Sequence, residues 1–73
     1  MGYFQTIEVS GEDVDDCIEI VEEHVDAGVE DLRQLSGGYY FVDVYIQDDN
    51  ESDRLENALD NHNLEWSWLW LAN

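Results

Sequence analysis

The stretch Ser10–Gly28, SGEDVDDCIEIVEEHVDAG, has little freedom in what it can become. Apolar residues recur at Val14, Cys17, Ile18, Val21 and Val25, the i, i+3, i+4, i+7 spacing of one helical face. Asp15, Asp16, Glu19, Glu22, Glu23 and Asp26 fill the opposite side, and no Lys or Arg within the helix neutralises them. Like charges at i, i+4 repel by a few tenths of a kcal/mol per pair. The apolar side therefore needs a layer to cover, and the acidic side needs a reason to persist. Ser10 reads as the N-cap, with Asp13 three residues on in a capping-box-like arrangement. Glu12 and Asp13 fall in the first turn, where the helix dipole favours negative charge, and Gly28 reads as the stop.

The flanking segments supply the layer. Tyr3–Val9 alternates, with Ile7 and Val9 on one face and Thr6 and Glu8 on the other, and reads as a first strand. Val29–Leu35 (VEDLRQL) has apolar residues three apart and reads as an irregular edge strand. After a Ser36-Gly37-Gly38 turn, Tyr39–Gln47 is the clearest strand. Tyr40, Val42, Val44 and Ile46 form one face, and Tyr39, Phe41, Asp43 and Tyr45 the other. A second helix is expected over Glu51–His62, with Leu55, Ala58, Leu59 and His62 inward and Asp53, Glu56 and Asp60 outward. Asn61 and Asn63 help to end it. Leu64–Leu71 reads as a last strand that turns Trp66, Trp68 and Trp70 into the core. The order strand, helix, strand, strand, helix, strand predicts an α+β, ferredoxin-like βαββαβ fold. Two helices would lie on one face of a four-stranded antiparallel sheet, in a single domain over residues 1–73.

Charge narrows the function. Nineteen Asp and Glu face two Arg and no Lys, giving a net charge of −17. Such a surface repels DNA, RNA and anionic membranes, and it attracts basic partners. Direct nucleic-acid binding is excluded on these grounds, even though Tyr39, Phe41 and Tyr45 on an open sheet face would otherwise suit base stacking. No apolar run reaches the ~18 residues of a membrane span. The chain has one cysteine, Cys17, on the apolar side of the first helix and expected to be a core residue. A lone thiol and no evident signal peptide point to a reducing cytoplasm.

Catalytic signals are weak. His24 and His62 are the only histidines, both at borders of apolar helix faces, and Ser10 and Ser52 read as cap or turn residues. With nineteen acids, carboxylate pairs carry no information. Asp48–Asp53 has the texture of a calcium loop, but the sixth and twelfth positions hold Asp53 and Leu59 where an EF-hand needs Gly and Glu. Cys17 with His24 lacks the further ligands of a zinc site. No enzyme activity, metal or cofactor is expected.

The acidic surface has three readings: a salt-adapted skin, docking to a basic protein, or imitation of nucleic acid. Imitation has a geometric basis. At about 1.5 Å rise per residue, Asp15, Glu19, Glu22 and Asp26 set carboxylates roughly 4.5–6 Å apart, with Asp16 and Glu23 in a neighbouring row. Glu30 and Asp31 would extend this ladder past the helix, and Glu56 and Asp60 would form a second ridge. In size, charge and these rows the chain resembles the small acidic DNA-mimic inhibitors of phages, of the anti-restriction and anti-CRISPR kind. The resemblance implies a basic, nucleic-acid-binding host defence protein as partner and the host cytoplasm as location. The competing expectation is a small halophilic or regulatory domain that forms a homodimer through its aromatic sheet face.

Overall fold

The computed structural model describes residues 2–69. The elements are β1 (Tyr3–Ser10), α1 (Val14–His24), β2 (Val29–Gln34), β3 (Tyr39–Ile46), α2 (Asp49–Asn61) and β4 (Trp66–Leu69). The strands form one sheet in the order β2-β3-β1-β4, and every neighbouring pair is antiparallel. It follows that β1 runs parallel to β2 with β3 between them, and β3 runs parallel to β4 with β1 between them.

Alternation along the strands decides which face is covered. Ile7 and Val9 share a face with Val42, Val44 and Ile46, and all five are fully buried. Val14, Cys17, Ile20 and Val21 of α1 and Leu55, Ala58 and Leu59 of α2 join them in a single core, so both helices lie on that face. Trp66 and Trp68 pack against the same core half-buried, edge to face at 5.3 Å, as the alternation of the last strand predicts. Trp70 and Leu71 lie outside the described residues. Among the described residues no helix covers the opposite face, with Phe4, Thr6, Glu8, Phe41, Asp43 and Tyr45.

Several local expectations are corrected. The cap of α1 is Asp13, not Ser10. Ser10 is still paired with Tyr39 in the sheet, and its carbonyl accepts the Asp13 N–H at 2.9 Å. The Asp13 carboxylate leaves the helix end to accept the Glu65 N–H at 2.9 Å. Helix α1 stops at His24, four residues before Gly28. Val25 turns extended yet stays buried, and the Asp26 N–H goes to Glu51 rather than to the helix. Gly28, at φ +71°, closes a tight turn by donating to the Val25 carbonyl at 3.0 Å. Ile20 is buried where Ile18 was expected, and Ile18 is only half-buried. Helix α2 begins two residues earlier than expected, because the Asp48 side chain caps it by accepting the Glu51 N–H at 2.9 Å. Asn63 ends it in the left-handed region at φ 57°, as expected of an Asn stop. The last strand begins at Trp66, with Leu64 and Glu65 still outside it.

Candidate functional site

The outward side of α1 carries a dense run of acidic residues. Its inward side is fixed by Cys17 and Val21, both without exposure, so the helix cannot roll. Asp15, Asp16, Glu19, Glu22 and Glu23 are all exposed. Among the described residues none of the five takes part in an ion pair or a side-chain hydrogen bond. From Asp15 to Glu23 the helix rises about 12 Å, so these five carboxylates follow one another roughly every 3 Å of axis on average. Duplex DNA carries one charge per about 1.7 Å.

The other predicted residues separate. Asp26 is exposed but sits in the turn after α1, outside the helical spacing of the row. Glu56 is half-buried and Asp60 exposed on the neighbouring helix α2. One Asp60 oxygen is committed to the fold, accepting from the Trp66 indole N–H at 3.0 Å. Glu30 and Asp31 do not extend the ridge. A register shift between Val29 and Asp31 places Asp31 across from Asp43, on the helix-free face of the sheet. There Phe4, Thr6, Glu30, Asp31, Arg33 and Asp43 line a shallow hollow. The Arg33 Nη2 group donates to both Asp43 oxygens, at 2.8 and 3.1 Å, and its guanidinium lies 5.2 Å from the Phe41 ring centre. The Thr6 hydroxyl donates to the same carboxylate at 2.6 Å. Beside them Phe4 is 69 % exposed and meets Tyr45 edge to face at 5.1 Å.

Two features escape the sequence reading. Glu51 is buried and accepts two backbone N–H groups, from Gln47 at 2.9 Å and Asp26 at 3.2 Å. Its signal in the sequence is the Asp48–Glu51 spacing of a capping box. The second is a hollow between the helices lined by His24, Arg54, Asn57, Ala58, Asn61 and His62. It gathers both histidines and one of the two arginines. His62 is engaged in the fold there, its Nδ1 lying 2.8 Å from the Ala58 carbonyl oxygen.

Two tyrosines titrate above their ordinary range. The Tyr39 hydroxyl donates to Glu65, and that bond to a carboxylate holds its proton. Tyr3 is raised by desolvation and by its hydrogen bond to Asp49. Among the described residues no group of three or more His, Cys, Asp or Glu side chains is arranged to hold a metal, and no helix is long and apolar enough to cross a membrane. Compared with protein-family models, curated proteins and solved structures, the chain matches none of them.

Proposed function

We propose that this protein is a non-enzymatic inhibitor that imitates nucleic acid. In this reading it occupies the phosphate-binding surface of a basic host defence protein, such as a CRISPR or restriction complex. The carrying observation is the α1 ridge: five exposed carboxylates with no partner among the described residues, on a helix whose other side is locked in the core. A partner built to bind phosphates meets such a ridge with its own Arg and Lys, and counterion release supplies affinity. The strand arrangement supports a ferredoxin-like reading of the fold, since each helix connects two parallel strands that have a third inserted between them.

The test is competition. The target is captured from the natural host at low salt and eluted with rising salt. It is then offered labelled duplex DNA together with this protein. Displacement of the DNA is expected. Reversal of Glu19, Glu22 and Glu23 to Lys should weaken displacement by at least about tenfold while the circular dichroism spectrum is kept. Undiminished displacement by the folded triple variant would remove α1 as the mimic surface. A second reading, a salt-adapted skin, draws on the spread of acids over both helices, the turns and the sheet face, with Arg33–Asp43 as the one ion pair among the described residues.

A further inference from the structure

Strand β2 is an outer strand, so one side of its backbone has no ladder partner among the described residues. Which residues face outward follows from one bond. The Leu35 N–H donates to the Tyr39 carbonyl at 2.8 Å, so residues of the same parity, Asp31 and Arg33, also turn their backbone groups toward β3. Leu32 and Gln34 turn theirs to the open side. Among the described residues the Leu32 N–H is met only by the Asp31 side chain, at 2.9 Å. The Leu32 side chain is 43 % exposed.

We propose that two copies of this chain join through β2, antiparallel about a two-fold axis at Leu32, into one continuous sheet. The sequence VEDLRQL is self-complementary about that residue. Leu32 faces the partner's Leu32 and exchanges both backbone hydrogen bonds with it, as its outward groups require. Asp31 faces the partner's Arg33, and Arg33 faces the partner's Asp31. These are non-hydrogen-bonded positions, where Cα atoms approach to about 4.5 Å and side chains are closest. Arg33 reaches Asp43 with Nη2 alone, leaving its other guanidinium donors for this second carboxylate. Moving the axis one residue either way sets Asp31 on the partner's Asp31 or Arg33 on the partner's Arg33. The register shift between Val29 and Asp31 ends the regular ladder beyond these pairs, and within Asp31–Arg33 no like charges oppose each other. The contact is isologous and closes as a dimer. Because both chains carry −17, long-range repulsion opposes the pairing, and added salt favours it.

Sedimentation velocity in moderate and in molar salt tests this. The wild type is expected to sediment as a dimer, more completely in molar salt. Leu32→Pro removes an outward N–H that β3 does not use, and should give a folded monomer. Asp31→Arg alone and Arg33→Asp alone should each be monomeric. Mixed in equal amounts the two should form a heterodimer, because every 31–33 contact is then a pair of opposite charges. A wild type that is monomeric in both salts overturns the proposal, as does a mixture of the two folded charge variants that does not associate. A dimer that survives Leu32→Pro but falls apart on Phe41→Glu overturns it in favour of the helix-free sheet face.

Discussion

Glu51 shows how differently a carboxylate can serve in a chain that has nineteen acidic residues. It is 2 % exposed and joins three segments: the end of β3 through Gln47, the turn after α1 through Asp26, and the start of α2 through its own N–H. Its two oxygens meet two donors. An amide in its place offers only one acceptor oxygen and turns an NH2 group toward the other donor. Glu51→Gln should therefore lower stability by about 1–3 kcal/mol, read as a fall in denaturant midpoint at unchanged m-value. Glu23→Gln, on the exposed ridge, should change stability by no more than about 0.5 kcal/mol. Equal effects would mean that Glu51 does not hold the segments together. Cys17 makes the complementary point. Burial alone pushes its thiol up from 9.0 to about 12. The folded chain thus holds this proton more tightly than the unfolded chain. Its contribution to stability is complete below pH 9 and is lost as pH rises toward 12. The raised Tyr3 and Tyr39 act in the same direction. Native protein should leave a thiol reagent unreacted at neutral pH, and an alkaline titration should lower the unfolding midpoint through that window. Rapid labelling of the folded protein at neutral pH would contradict the buried position.

At the scale of elements, periodicity was legible wherever one physical cause acted alone. The alternation of Tyr40, Val42, Val44 and Ile46 needs only a half-covered sheet, and β3 follows it. Trp66 and Trp68 turn inward for the same reason. The acids of α1 from Asp15 to Glu23 were legible because the helix spacing places them opposite Cys17 and Val21 whatever the tertiary details. The ends of elements were not, because distant groups decide them. Ser10 has the chemistry of a cap, but pairing with Tyr39 keeps it in the sheet. Val25 fits the helical face, yet it is buried just as well in an extended conformation once Glu51 takes the Asp26 N–H. Glu30 and Asp31 follow α1 in sequence and, read along the chain, continue its charge. The irregularity between Val29 and Asp31 sets the side on which Asp31 emerges, and nothing local announces it. The same irregularity on an outer strand is a known means of discouraging unwanted strand pairing. It leaves the regular part, Asp31–Gln34, as the segment that can accept a copy of itself.

For the whole molecule, the net charge of −17 sets how strongly its surroundings control it. Two like charges about 10 Å apart repel by roughly 0.4 kcal/mol in water, and at about 0.15 M salt a Debye length of about 8 Å cuts this to roughly a third. Many such pairs exist here and only Arg33–Asp43 opposes them among the described residues, so the unfolding temperature should rise steadily with salt. That rise is common to a mimic and to a salt-adapted skin. The two differ at the low end. An inhibitor that competes with DNA for a phosphate-binding surface must be folded where electrostatic attraction is strongest, at low ionic strength. Its core must then hold the acidic layer unaided. Thirteen buried apolar residues in one cluster, with both helices seated on the same sheet face, are the means available. Circular dichroism at low salt should therefore show a folded, cooperatively melting protein, with a midpoint that increases on addition of salt. A chain that is unfolded at low salt and gains structure only in molar salt would overturn the inhibitor reading. The acids of α1 would then belong to a surface adapted to brine, where the α1 ridge has no privileged role and reversal of its charges leaves every interaction of the protein unchanged.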